Sequence, residues 1–149
     1  MISTRNITYV TAAGNDAKKH YQGQFYSDEY NWMDFSRGTS STHYLYAKVP
    51  AGESITVIMQ WNEPFGGSSS DYDLYLFDAG TGDRLTYSTV EQDGDDDPLE
   101  GLSWYNDTGS EKNVAILADA YNAPVNKTLE LYVYGAGMYS YNVVAAESI

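Results

Sequence analysis

The stretch from Gly52 to Asp78 reads Gly-Glu-Ser-Ile-Thr-Val-Ile-Met-Gln-Trp-Asn-Glu-Pro-Phe-Gly-Gly-Ser-Ser-Ser-Asp-Tyr-Asp-Leu-Tyr-Leu-Phe-Asp, and it decides the fold. Ile55, Val57, Met59 and Trp61 fall on one side of an extended chain and Thr56, Ile58 and Gln60 on the other. That is the period of a strand with one face on a core. Tyr72, Leu74 and Leu76 then alternate with Asp71, Asp73 and Tyr75 in the same way. Between the two runs, Pro64, Gly66, Gly67 and three serines exclude a helix and supply a wide loop. Two half-buried strands therefore frame a loop that ends in closely spaced carboxylates, and any chemistry is expected at that acidic end.

Working outward, His43, Leu45, Ala47 and Val49 alternate with Tyr44, Tyr46 and Lys48 before Pro50-Ala51-Gly52 turns the chain. Asn6 to Ala13 reads as a short strand stopped by Gly14-Asn15-Asp16. No period holds from Ala17 to Arg37 despite its many aromatics, so an irregular segment draped over a sheet is expected, with one helical turn near Lys18. Beyond Asp78, Arg84 to Val90 is a strand with Leu85, Tyr87 and Thr89 on one face, and 91–98 is an acidic loop. Leu99 to Asn106, Asn113 to Asp119, Leu129 to Gly135 and Met138 to Val144 complete the set. The pattern predicts an all-β chain, an antiparallel, jelly-roll-like β-sandwich of about nine strands with an irregular N-terminal segment.

The chain has 149 residues, the size of one domain, and no cysteine, which excludes thiol chemistry and Cys-ligated zinc or iron–sulfur sites. Twenty-one acidic against eight basic residues give a charge of −13, which repels phosphate backbones and attracts divalent cations. No nucleic-acid partner is expected. No apolar run approaches the roughly 20 residues of a membrane span. The first residues carry no charged-then-apolar secretory pattern, so the signal of a secreted parent is expected to lie outside this chain.

Oxygen-rich calcium sites draw several carboxylates and carbonyls onto one ion. Asp93, Asp95 and Asp97 stand at alternate positions with Glu100 after them, and Asp71 and Asp73 are placed to join them across the sheet. These six are the candidate metal ligands, with calcium as the cofactor. An EF-hand is excluded, because Pro98 and Trp104 stand where it needs glycine and glutamate. The competing reading is a solvated acidic loop in which Asp71 and Asp73 accept hydrogen bonds from loop amides. Gly38-Thr39-Ser40 and Asp107-Thr108-Gly109 look like protease turns, but only His20 and His43 are available as a base, and the sequence names no acid to orient His43. Tyr44, Tyr46, Trp61 and Tyr75 are the candidate binding aromatics, for a carbohydrate stacked on exposed rings; sheet cover is the competing role. Asn6, Asn106 and Asn126 head Asn-x-Thr sequons.

A strand ending in Ala13-Gly14-Asn15 resembles the oxyanion-hole segment of subtilisin-like serine proteases (peptidase family S8). On that match Asn15 is the oxyanion residue. The motifs His20-Tyr21-Gln22-Gly23, Val49-Pro50-Ala51-Gly52, Gln60-Trp61 with Pro64-Phe65-Gly66, Asp71 to Leu76, Asp97-Pro98 with Glu100, and Leu129-Glu130-Leu131 are similar to a β-sandwich of pre-peptidase C-terminal style inserted in such enzymes. The resemblance implies that residues 1–17 are a remnant of the oxyanion strand, that 18–145 form the sandwich, and that 146–149 resume the catalytic domain. It has no counterparts for the family's catalytic aspartate, histidine and serine segments. What it implies is a non-catalytic accessory domain, extracellular or at the cell surface. Its partners are the parent's catalytic domain and a protein or polysaccharide substrate. A carbohydrate- or surface-binding module is the alternative.

Overall fold

Residues 20–27, 29–38, 41–124 and 126–139 are described by the structure, a computed structural model. They form nine strands: β1 (His20–Gln24), β2 (Leu45–Val49), β3 (Ser54–Trp61), β4 (Asp71–Asp78), β5 (Arg84–Ser88), β6 (Leu99–Tyr105), β7 (Lys112–Asn122), β8 (Thr128–Tyr134) and β9 (Gly137–Tyr139). Two antiparallel sheets result, ordered β1-β8-β3-β6 and β5-β4-β7-β2-β9. The expected all-β sandwich is what the described residues build, with no α-helix among them.

The topology follows from a single folded ribbon. β1 pairs with β8, β2 with β7, β3 with β6 and β4 with β5, the pairings of one long hairpin. The ribbon closes on itself when β8 also pairs with β3 and β7 with β4. That is jelly-roll connectivity. The central pair read from the sequence is real: Ile55, Val57, Met59 and Trp61 of β3 face Tyr72, Leu74 and Leu76 of β4 in the core. Burying these side chains stabilises each by about 1.5–3 kcal/mol relative to exposure.

The N-terminal reading needs correction. His20 to Gln24 is a strand and not part of an irregular segment, because β8 offers its free edge to it. Residues 25–27 and 29–38 are irregular, yet they do not drape over a finished sheet. Phe25, Met33 and Phe35 are buried in the core itself, and the Met33 amide donates to the Ala118 carbonyl at 2.9 Å. The buried Asp34 carboxylate organises this segment by accepting from the Ser36 amide (2.9 Å) and hydroxyl (2.6 Å), the Gly38 amide (2.8 Å) and the Thr42 amide (3.0 Å). A network of long-range contacts and side-chain caps leaves no periodic trace in sequence. The strand expected at Arg84 to Val90 is the edge strand β5, in which Leu85 packs against the core while Tyr87 is exposed. The strand expected at 6–13, the turn near Lys18, and the segments 1–17 and 146–149 lie outside the described residues.

Candidate functional site

The chemistry sits at one open edge of the sandwich, where β5 and β6 bring the two sheets together and the loop 89–98 crosses between them. Alternation puts Leu102 in the core and, two residues earlier, Glu100 on the same inward face. Asp71 opens β4 just before an irregularity in its pairing with β7. Gln92, from the crossing loop, ties the two together. Its backbone amide donates to Asp71, and its side-chain Nε2 donates to Glu100 Oε1 at 3.0 Å. The Val90 amide adds a second bond to Glu100 Oε1, at 2.8 Å. Asp71 is 4% exposed, Gln92 3% and Glu100 1%. One oxygen of each, Asp71 Oδ1, Gln92 Oε1 and Glu100 Oε2, is buried without a hydrogen-bond partner.

Burial, with Asp73, Glu100 and Glu91 as charged neighbours, pushes the Asp71 carboxyl up to about 6 from its ordinary 3.8. The folded form thus prefers Asp71 protonated. The stability this preference contributes is fully present below the unfolded value and is lost as pH rises through about 6. In chelator-treated protein, the Asp71 contribution to the unfolding free energy, wild type against Asp71→Asn, is expected to fall by about 2 kcal/mol between pH 4 and 7.5, allowing for solvent screening at the edge. Urea denaturation across that range tests it. Asp71→Asn should remove this component, and an unchanged pH dependence in the variant would refute the assignment.

Of the other expected ligands, Asp73 lies beside Asp71 as a charged neighbour. Asp73 is buried, but its Oδ2 accepts the Tyr75 hydroxyl at 2.7 Å. Asp97 turns toward the loop after β3 and accepts the Gly66 amide at 2.8 Å, so it does not join Asp93 and Asp95. Asp96 takes that place instead: Asp93, Asp95 and Asp96 bring carboxylate oxygens within 4.8 Å of one another at the surface. The hydrogen bond and charge of Asp95, with the charge of Asp96, raise the Asp93 carboxyl. Alternation along 93–97 points to Asp97 as the third aspartate, whereas Asp96 lies with Asp93 and Asp95 because the loop turns there and pairs Ser68 with Asp96. Gln92 carried no sequence signal, whereas the inward position of Glu100 was legible from Leu102 and Trp104.

A second feature lies on the outer face of the five-stranded sheet. Ring centroids run from Tyr46 to Tyr44 (6.2 Å), Tyr44 to Phe77 (6.4 Å), Phe77 to Tyr75 (6.3 Å) and Tyr75 to Tyr87 (6.4 Å), with the Arg84 guanidinium 4.6 Å from the Tyr87 ring. Three of the four candidate binding aromatics, Tyr44, Tyr46 and Tyr75, therefore share one surface. Trp61 does not. It is 4% exposed, packs edge-on to Tyr72 in the core, and donates its Nε1 hydrogen to Ser68 at 3.1 Å. The same alternation that makes β3 a strand turns Trp61 inward.

Both histidines pack on rings, His20 stacked on Tyr132 at 4.6 Å and His43 edge-on to Trp32 at 6.2 Å. Asn15 and Ser40 lie outside the described residues, as does the sequon at Asn6. Of the other sequons, Asn126 is exposed, but Asn106 is fully buried and its side chain is engaged at both ends. No protein-family model matches the chain, and no curated protein matches it significantly.

Proposed function

We propose that the chain is a non-catalytic accessory domain inserted in a secreted subtilisin-like serine protease, where it stabilises the parent and holds protein substrate near the catalytic domain. The observation that carries this reading is the path of the chain. The edges β5 and β6 meet on one side of the sandwich, where the Gly101 amide donates to the Ser88 hydroxyl at 3.3 Å. The opposite edges, β1 and β9, where the described chain enters and leaves, therefore share the other side. An inserted domain requires two neighbouring connections of this kind. The motifs around Asn15 and the β4 strand supply the parentage, and the −13 charge suits an extracellular protein.

The coding sequence on either side tests the proposal. Catalytic aspartate and histidine segments upstream and a Gly-Thr-Ser serine segment downstream are expected, and flanks lacking them would overturn it. A second reading, a carbohydrate-binding surface, is favoured by the continuous row of rings from Tyr46 to Tyr87. Depletion of the protein by insoluble polysaccharide that is lost in Tyr75→Ala would select this reading over protein substrate.

A further inference from the structure

The geometry points to a buried divalent-cation site, suited to calcium, between Asp71 of β4, Glu100 of β6 and Gln92 of the loop joining β5 to β6. The site stands independently of the parentage proposed above. Its main support is the set of three buried oxygens without partners, Asp71 Oδ1, Gln92 Oε1 and Glu100 Oε2. Gln92 bonds to both acids, so the three belong to one locus. The donors there are already used: Val90 and Gln92 both serve Glu100 Oε1, which leaves Oε2 bare. Buried polar atoms are rarely left this way, and bare carboxylate oxygens are the costliest kind. Asp71's charged neighbours are themselves carboxylates.

A doubly charged cation balances the two carboxylates and gives each bare oxygen a partner. The donors are all oxygen, with no imidazole or thiolate, which selects a hard ion. Magnesium holds its water shell and demands octahedral geometry, whereas calcium accepts dehydrated, irregular oxygen cages. Side chains of 4%, 3% and 1% exposure disfavour an ion that must keep its water shell, and so favour calcium. The surface group Asp93, Asp95 and Asp96 has no comparable feature, since it faces solvent. Calcium bound at the inner locus joins β4 of one sheet to β6 of the other and fastens the open edge.

The test uses calcium chloride on chelator-stripped protein, followed by calorimetry and thermal melting. One calcium per chain is expected, with a rise of roughly 5–10 °C in melting temperature at about a hundredfold excess over Kd. Asp71→Asn should melt at or above the stripped wild type, because a buried repulsion is gone, and should lose the calcium shift. Gln92→Leu, which keeps both carboxylates, should weaken calcium binding at least about tenfold. The double variant Asp93→Asn/Asp95→Asn should keep the shift. Two results would overturn the site: no heat and no shift at about 10 mM calcium, as expected if the two acids merely share a proton, or a shift that survives Asp71→Asn and disappears in the surface double variant.

Discussion

Replacing Asn106 by aspartate is expected to lower stability by about 4 kcal/mol and the melting temperature by roughly 8–16 °C. Asn106 closes the turn after β6 and is 0% exposed. Its Nδ2 donates to the carbonyls of Val49 (2.9 Å), Pro50 (3.2 Å) and Ser110 (2.8 Å), while its Oδ1 accepts from the Thr108 amide (3.2 Å) and hydroxyl (2.7 Å). One side chain thus fastens the end of β2 to the turn between β6 and β7. Aspartate is nearly the same shape but has no donor, so it sets a buried charge against three carbonyl oxygens and takes a hydrogen-bond donor from each. Asn106→Ala should cost somewhat less, about 3 kcal/mol, since it introduces no charge. Thermal or urea unfolding of the two variants distinguishes the terms, and a near-neutral Asn106→Asp would show that the polar cage is not what holds this corner. The same engagement predicts that the folded protein is not glycosylated at Asn106, although the sequon is intact.

The second large effect belongs to Glu63, in the loop between β3 and β4. Its carboxylate accepts from the Ser68 hydroxyl (2.8 Å), the Ser69 and Ser70 amides (both 3.2 Å) and the Ser70 hydroxyl (2.6 Å), and it pairs with Lys127 at 2.6 Å. Ser68 in turn accepts the Trp61 indole hydrogen. The glycine- and serine-rich loop that looks free in sequence is therefore gathered onto one carboxylate and anchored to the turn before β8. Removing one partner of a largely buried charge network costs about 3–5 kcal/mol, and Glu63→Ala is expected in that range. Burial acts to raise this carboxyl, but Lys127 and the Ser70 and Ser68 hydroxyls outweigh it and hold the group well below its ordinary 4.5. The stabilisation is therefore present above about 4.5 and is lost as pH falls further. Wild type should lose more stability than Glu63→Ala between pH 5 and pH 2. Parallel acid titrations of the two proteins would contradict the assignment.

Glu63 and Asn106 also mark where sequence reading runs out. Val57, Leu74 and Leu131 announce their burial by alternation, because a strand's side chains must take opposite faces. A glutamate between Asn62 and Pro64, or an asparagine before Asp107-Thr108-Gly109, reads only as turn material. Its role depends on amides and carbonyls brought near by other strands. The acidic region divides along the same line. Twenty-one acidic residues made an acidic surface legible, and spacing singled out Asp71 and Glu100 among the candidates. Spacing did not separate an inward pair from a surface group, replace Asp97 by Asp96, or include Gln92. Those assignments follow from the loop's path between the sheets.

By itself, the sequence determined the strands of the central pair, their inward faces, the wide loop between them and the sign of the surface charge. Each of these is local: a side chain's face follows from its parity along the strand, and charge follows from composition. The tertiary structure alone decided that His20 to Gln24 joins β8, and that three oxygens of Asp71, Gln92 and Glu100 are buried together without partners. Both depend on residues distant in the chain, where the nearest charge or hydrogen-bond donor is set by how two sheets close on one another and not by what stands beside it in sequence.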